Sequence, residues 1–228
     1  EACAGVKLFY TVQGGLNGGT VASALDMMSK KQKDKLEDPT LLNPPTYRSH
    51  EEARHCIDTN KPYYDSDLHR WVAPFFMAHI NSRVVCRSLS LFKEFSEPYG
   101  ENFSYQEAML AGTILGKIQA QSIHFGLKGV EFIGNFSLGR QVIDIITPKP
   151  GRGPSQKVRD NGYFCAQIIA NGEAGTQIKA QIFSEGDPGN KVTVTILCEA
   201  AGCLLYERDK LPGGVARTGI LTPATALG

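Results

Sequence analysis

The sequence predicts an α+β fold, in which segments with strand periodicity and segments with helix periodicity share one chain. Apolar residues alternate over 5–13, which is the two-residue period of a β-strand. Two β-rich runs, 163–170 and 176–184, flank a short turn sequence, as in a β-hairpin. Apolar residues at helical spacing cover 74–92 and 105–127, which predicts two long helices.

The composition is that of an ordinary folded protein. Of 228 residues, 42% are hydrophobic and 21% are charged, which excludes a disordered or collagen-like chain. The 24 Lys and Arg residues nearly balance the 23 Asp and Glu residues, and the formal net charge is +1. Because such a chain has no global field to attract polyanions, we expect no nucleic-acid partner. The longest strongly apolar stretch, 71–78, is too short to cross a bilayer.

Both ends of the chain predict that it is a piece of a longer protein. The first residues lack an initiator Met and the basic-then-apolar order of a secretory signal. Near the other end, Thr222 and Pro223 have the order of an N-cap and a first helical residue, yet only five residues follow. We therefore expect residues 1–228 to form a single intracellular domain, truncated at both ends.

The cysteines and histidines show no ligand spacing. There is no C-x-x-C pair, and the five histidines are scattered as well, so we expect no metal site. The low cysteine content predicts reduced, mostly buried thiols rather than a disulfide framework. The six cysteines are Cys3, Cys56, Cys86, Cys165, Cys198 and Cys203.

The first strand leads into a glycine turn at 14–20 and then a helix that extends to about Lys31. Backbone N–H groups at such a turn can bind an anion. The alternative is a tight turn, capped by Thr20, that serves packing alone. The mixed charges of 30–38 indicate a solvated helix end. Residues 39–70 are then predicted to form a long loop, which is either a lid or a segment wrapped over the surface.

Two later segments carry basic residues. Arg83 and Arg87 share one face of the helix predicted from Pro74 to Phe92, so either a bound anion or the protein's own carboxylates must lie between them. Residues 148–155 form a Gly/Pro-rich loop in which Arg152 could grip a phosphate or carboxylate, or could be merely solvated.

The C-terminal third of the chain completes the element order. Residues 171–175 form the loop of the predicted hairpin. Helical spacing then covers 192–206, and 213–221 is short enough for a last strand before the helix at Thr222.

Short motifs resemble, in order, the C-terminal part of saccharopine dehydrogenase-like oxidoreductases, a group that includes trans-acting enoyl reductases. The motifs are GGTVAS at 18–23, APF at 73–75 with INSRVV at 80–85, PGRGPS at 150–155, GDPG at 186–189 and GILTPA at 219–224. The sequence departs from the expected pattern at Cys86, where a second Arg is expected, and at Asn190, where an aromatic residue is expected. These departures bear on the choice of acyl substrate.

The resemblance implies the C-terminal domain of a Rossmann-type two-domain oxidoreductase. This domain would have a mostly antiparallel or mixed sheet with helices on one face, and would bind substrate and form a homodimer. An N-terminal Rossmann domain, absent from residues 1–228, would bind NAD or NADP. The fragment would therefore hold no cofactor and be inactive alone.

The resemblance also implies an enoyl reductase acting on a small-molecule, lipid or polyketide acyl substrate, in the cytoplasm or peripherally on membranes or lipid droplets. It implies no particular catalytic residue. We expect the substrate to be bound by Asn17, Gly18, Gly19, Thr20, Ser23, Asn81, Arg83, Arg87 and Arg152.

Two alternatives remain open at the sequence level. One is a non-catalytic lipid-droplet or membrane-associated module, since the amphipathic stretches 74–92 and 107–146 could lie on lipid. The other is an enzyme that forms or cleaves saccharopine, which would need paired basic sites for a dicarboxylate amino acid.

Overall fold

The computed structural model describes residues 1–29, 35, 37–213 and 216–228. Seven strands form one open mixed sheet with α-helices around it, so the predicted α+β class is confirmed. The strands are β1 (Cys3–Gln13), β2 (Cys56–Ile57), β3 (Tyr63–Asp65), β4 (Arg70–Ala73), β5 (Tyr105–Leu110), β6 (Tyr163–Gly172) and β7 (Gln177–Glu185). The described helices are α1 (Gly18–Ser29), α2 (His50–Ala53), α3 (Ala78–Glu94), α4 (Gly116–Gly134), α5 (Ser137–Ile146), α6 (Gln156–Asn161), α7 (Thr193–Tyr206) and α8 (Pro223–Leu227).

Strand β1 lies inside the sheet, whose order is β3-β4-β5-β1-β6-β7. It pairs in parallel with β5 and antiparallel with β6. The short strand β2 pairs in parallel with the start of β5, and β4 pairs antiparallel with its end. The carboxyl ends of β1 and β5 therefore lie side by side, as expected for parallel neighbours.

Helices α3 and α4 pack on the same face of the sheet. Leu8 and Tyr10 of β1 contact the α3 side, because successive side chains of a strand point to opposite faces. Helix α4 packs its Ala120 against Ala73 of β4, on the same face. On the opposite face, Phe9 is almost fully buried in a separate apolar cluster. The alternation predicted for 5–13 is thus confirmed as the central strand.

The helix predicted over 105–127 is wrong in its first part. Residues Tyr105–Leu110 form β5, and α4 begins only at Gly116. Strand β5 is buried on both faces between β1 and the β2–β4 strands. Its sequence therefore lacks the polar–apolar alternation of a half-exposed strand. The same pattern is equally typical of a buried helix.

Two neighbouring predictions also need correction. Residues 71–73 belong to β4, and α3 begins at Ala78 rather than Pro74, because the proline ends the strand and a turn precedes the helix. The long loop predicted over 39–70 contains a 3₁₀ turn at Pro45–Tyr47, helix α2 and strands β2 and β3. These elements are too short to produce a periodic pattern.

Several predictions fall partly on residues that the structure does not describe. The end of the first helix, at Lys30 and Lys31, lies outside the described residues, as does most of the charge run. Of the strand predicted over 213–221, residues 214 and 215 are not described, and 216–221 contain no strand. The prediction of a strand is therefore wrong for 216–221. These six residues follow a glycine-rich turn and bury too little apolar area to stabilise a strand.

The expectation of reduced thiols is wrong for two of the six cysteines. Cys56 of β2 and Cys86 of α3 form a disulfide with a Cα–Cα distance of 6.1 Å, within the normal range. Both residues are buried against Tyr105 and Leu89. Of the four free cysteines, Cys198 is exposed and the others are half-buried, so the expectation of mostly buried thiols is wrong as well.

Apart from the strand predicted over 213–221, the described part of the C-terminal third follows the sequence prediction. Strands β6 and β7 pair antiparallel as the predicted hairpin, in register from Tyr163–Glu185 to Asn171–Gln177. The helix predicted over 192–206 is confirmed as α7, which follows a π-turn at Pro188–Val192. Helix α8 begins with a capping box in which the Thr222 side chain accepts a hydrogen bond from the Thr225 N–H.

Helices α4 and α5 expose large apolar side chains to solvent. The exposed set on these two helices is Ile118, Phe125, Val130, Phe132, Ile133, Leu138, Val142, Ile145 and Ile146. An apolar surface of this extent usually marks an interaction site. Within the described part of the chain, every helix is too short or too polar to cross a membrane.

Candidate functional site

The glycine turn between β1 and α1 packs against the 148–155 loop. The Gly18 N–H donates to the Arg152 carbonyl at 2.9 Å, and an added Cβ on Gly18 would strike the Lys149 carbonyl. Loop 148–155 is irregular, as predicted. The structure therefore brings together two of the three segments that hold predicted substrate-binding residues.

The amides of this turn bond to acceptors from the same chain. Asn17 Oδ1 caps α1 by accepting from the Thr20 N–H at 2.8 Å and from the Thr20 hydroxyl at 3.0 Å. The Gly15 N–H donates to the carboxylate of Asp187 at 2.5 Å. These amides are therefore already engaged and do not fit an open cradle for a nucleotide pyrophosphate. The predicted capping role of Thr20 is therefore wrong: Asn17 caps α1, and Thr20 donates to it.

The remaining predicted residues of this region face outward. Gly19, Thr20 and Ser23 are exposed on α1, and Arg152 is exposed on its loop. Their assignment to substrate binding stays a prediction.

A second group of polar residues lies beneath the first turns of α3. We call it the α3 polar cluster, and its members share hydrogen bonds or close electrostatic contacts between β1, the β2 end, α3 and β5. It consists of Tyr10, Asp58, His79, Asn81, Arg83, Tyr105 and Glu107.

Glu107 occupies the buried end of the α3 polar cluster and is only 2% exposed. Its carboxyl group accepts hydrogen bonds from Asn81 Nδ2 at 3.0 Å and from the Tyr105 hydroxyl, and Tyr10 lies within bonding reach. Burial raises the pKa of Glu107 above its usual value, although these bonds oppose the shift. Burial and the neighbouring Glu107 also raise the pKa values of both tyrosines.

Asp58 joins the buried part of the cluster to the surface. Arg83, which is 3% exposed, places Nη1 at 2.7 Å from both Asp58 oxygens. Ser82 Oγ donates to Oδ1 at 3.0 Å, and His79 Nδ1 lies 3.1 Å from Oδ2. Burial alone would raise the pKa of Asp58, but the bonds from His79 and Arg83 outweigh it and lower that pKa to about 2.

Arg83 and Arg87 are not brought together on one ligand. Arg83 pairs with Asp58, whereas the Arg87 guanidinium donates to the carbonyls of Leu42 and Ile220, the latter at 2.6 Å. For Arg83 the protein's own carboxylate is therefore the counter-charge, which was one of the two alternatives. Arg87 ties the 39–70 segment and the C-terminal segment to α3.

Sequence reasoning found Asn81 and Arg83 but missed the other members of the α3 polar cluster. The sequence predicts a helix at Tyr105 and Glu107, and a glutamate in a helix is ordinary and does not indicate a site. Asp58 lies in the segment predicted to be a long loop. His79 lies in the segment predicted to be an apolar helix. A carboxylate inside a strand-length apolar run is the signal that could have drawn attention to Glu107, since a buried acid needs partners.

The cluster combines groups suited to acid–base chemistry. It contains one imidazole at the surface, one ionised carboxylate held by an arginine, and one buried acid with two phenols. No group of three or more His, Cys, Asp or Glu residues within the described ranges is arranged to hold a metal ion.

Comparisons with known proteins agree with the resemblance at its coarser level. The chain is 33% identical to a Mycobacterium tuberculosis (strain H37Rv) protein named "Putative trans-acting enoyl reductase Rv2449c", over 95% of this chain and 53% of that protein. It is 32% identical to a trans-acting enoyl reductase of Mycobacterium bovis (strain BCG) and to one of Mycobacterium ulcerans, over 69% of this chain and 37% of each of those proteins.

The chain is therefore homologous to trans-acting enoyl reductases. It spans about half the length of the first of these relatives and a smaller share of the others. No family model and no solved structure matches it.

Proposed function

We propose that residues 1–228 form the substrate-side part of an NAD(P)-dependent, saccharopine dehydrogenase-like enoyl reductase that acts on lipid or polyketide acyl chains. The observation that carries the proposal is the 33% identity, over 95% of this chain, to a protein whose name describes it as a trans-acting enoyl reductase. The α3 polar cluster supports it, because reduction of a polarised double bond needs a proton donor as well as a hydride donor.

The nicotinamide nucleotide is assigned to a part of the protein outside residues 1–228. The glycine turn supports this assignment, because the Gly15 and Gly18 amides bond to Asp187 and to the Arg152 carbonyl. When bound, the nucleotide supplies a hydride. The residues described here would then bind and orient the acyl substrate, with Arg152 and the outer face of α1 on one side.

The experiment compares the complete protein with the 1–228 chain, after circular dichroism has shown that the short chain is folded. Nucleotide binding is measured by calorimetry, and reduction of a medium-chain trans-enoyl thioester by the absorbance of NADPH. We expect binding and reduction by the complete protein and neither by residues 1–228. Reduction by the short chain, or no binding by the complete protein, would contradict the proposal.

A matched pair of arginine variants tests the substrate side. Arg152→Ala in the complete protein should raise KM with little effect on kcat, because the group binds substrate without joining the chemistry. Arg159→Ala is the control, since Arg159 is also exposed but lies on helix α6, where it bonds to Gln156 of the same helix. Equal effects of the two variants on KM would show that Arg152 does not bind the substrate.

The exposed apolar face of α4 and α5 favours a second candidate, a lipid-associated module without catalysis. Leu138, Val142 and Ile145 recur at helical spacing on α5, and all are exposed, as in helices that lie in a membrane interface. Flotation of the complete protein with phosphatidylcholine–phosphatidylglycerol vesicles tests it, with Ile145→Glu as the disrupting variant. Absence of flotation rejects lipid binding, and light scattering then shows whether a second copy covers this face.

A further inference from the structure

We propose that His79 is the general acid of the enoyl reduction, giving its proton to Cα of the substrate, and that Asp58 is its positioning residue. The inference rests on the proposed function, because it names the group that completes that reaction. It is drawn from the α3 polar cluster, where one imidazole reaches the surface.

The reaction requires two different forms of hydrogen. A hydride from the reduced nicotinamide forms a new C–H bond at Cβ of the enoyl thioester, and the double-bond electrons move onto the carbonyl oxygen as an enolate. The enolate then takes a proton at Cα and the carbonyl re-forms. The acid that loses this proton regains one from water, so that electrons and protons balance over the cycle.

His79 has the exposure that this role needs. Its side chain is 48% exposed, whereas Tyr10, Tyr105 and Glu107 are each at least nine-tenths buried. Of the cluster's titratable groups, these three cannot touch a substrate without rearrangement. A proton donor must come within hydrogen-bond distance of the reacting atom, so the exposed imidazole is the member that can do so.

Asp58 fixes the orientation of the imidazole. With Nδ1 donating to Asp58 Oδ2 at 3.1 Å, Nε2 is left to meet a ligand, which is how a carboxylate sets the ring orientation in other His–Asp pairs. The Asp58 carboxylate is itself held by Arg83 and Ser82. Asp58 is therefore held in place by groups other than His79, so its carboxylate can orient the imidazole.

The surroundings of His79 suit an acyl substrate. Phe76 precedes α3 and Ile80 follows His79 in its first turn, and both side chains are nearly half-exposed. Phe76 contacts Phe75, which packs on Tyr10. Two exposed apolar side chains thus lie close to His79 along the chain, and an acyl chain bound there would have apolar groups to contact.

The test uses the complete protein with a trans-enoyl thioester and NADPH. His79→Asn retains a side-chain donor toward Asp58 but has no proton to transfer, and His50→Asn, at an exposed histidine on α2, is the matched control. We expect kcat to fall about 100-fold in His79→Asn, with KM and calorimetric nucleotide binding unchanged, and no change in the control. Asp58→Asn should lower kcat by a smaller factor, also at unchanged KM.

The fate of the proton separates a chemical role from a structural one. With a 2-methyl-enoyl thioester in D₂O, the unchanged protein should place deuterium on one face of Cα, and His79→Asn should give both epimers. Imidazole added to His79→Gly should restore part of the lost rate.

Each outcome decides a separate question. If the unchanged protein reduces the substrate and His79→Asn keeps both its rate and its facial selectivity, the assignment of His79 is overturned while the proposed function stands. If the unchanged protein reduces no enoyl thioester, the proposed function fails and this inference fails with it.

Discussion

The carboxylate of Asp187 accepts a hydrogen bond from the Gly15 N–H at 2.5 Å, between residues 172 positions apart. Asp187 is fully buried. It also accepts from the backbone N–H and from Nδ2 of Asn190, both at 2.7 Å. One side chain therefore joins the end of β1 to the turn that begins α7, and holds the glycine turn in place.

Asp187→Ala should destabilise the fold, because it leaves the half-buried N–H groups of Gly15 and Asn190 without their acceptor. The expected loss in the free energy of unfolding is about 3 kcal/mol. Urea denaturation followed by circular dichroism measures it. Asp160→Ala, at an exposed position that pairs with Lys191, is the control and should change little. A loss no larger than that of the control would show that Asp187 does not fasten the turn.

Glu107 should make the stability of the protein depend on pH. Burial raises its folded pKa above the unfolded value of about 4.3. The folded state therefore keeps the proton longer than the unfolded state, and the free energy of unfolding falls as pH rises from 4.3 through the folded pKa. Below 4.3 this contribution is fully present.

The measurement compares the wild-type protein with Glu107→Gln by urea denaturation, from about pH 4.3 upward through the folded pKa of Glu107. The variant cannot titrate at position 107, so the unchanged protein should lose stability relative to it as pH rises. Glu185→Gln, at an exposed position on β7, should run parallel to the unchanged protein. A constant difference between the unchanged protein and Glu107→Gln would contradict the raised pKa.

The sequence predicts those elements whose pattern is local. The alternation in 5–13 and the turn at 171–175 predict β1 and the β6–β7 hairpin, because one wetter face or one tight turn suffices to mark them. Strand β5 lacks such a mark because it is buried on both faces. Once Tyr105 and Glu107 are read as helical, the buried half of the α3 polar cluster cannot be seen.

The candidate site depends on contacts that no spacing encodes. The glycine turn is evident from the sequence, but its acceptor Asp187 is 172 residues away from Gly15. Likewise, the sequence predicts that Arg83 needs a counter-charge, but it does not indicate that Asp58, 25 residues earlier, supplies it. Tertiary structure alone decides which carboxylate reaches which donor.

The Cys56–Cys86 disulfide should contribute measurably to stability. It links β2 to α3 across 30 positions of sequence, and closing a loop of that length in the unfolded chain corresponds to about 3.6 kcal/mol in the chain-entropy model. The double variant Cys56→Ala/Cys86→Ala should therefore unfold at lower urea concentration. Cys198→Ser, at an exposed free cysteine, is the control. Peptide mapping without reduction that recovers Cys56 and Cys86 as free thiols would contradict the bond.

Two glycines provide an opposed pair of substitutions that tests the packing of the glycine turn. At Gly18, an added Cβ would strike the backbone carbonyl of Lys149. The 148–155 loop must then move, so Gly18→Ala should lower the free energy of unfolding by about 2 kcal/mol. At Gly126, exposed within α4, a Cβ meets nothing within 4 Å, so Gly126→Ala should raise that free energy by about 1 kcal/mol through helix propensity.

Denaturant titration of both variants measures these opposite signs under the same conditions. Gly18→Ala should also make the 148–155 loop more susceptible to trypsin at the Arg152–Gly153 bond, since the hydrogen bond from the Gly18 N–H to the Arg152 carbonyl holds that loop. Gly126→Ala should leave the cleavage rate there unchanged. If Gly18→Ala is neutral in both measurements, the turn and the loop are not packed together, and Arg152 would no longer be placed beside α1.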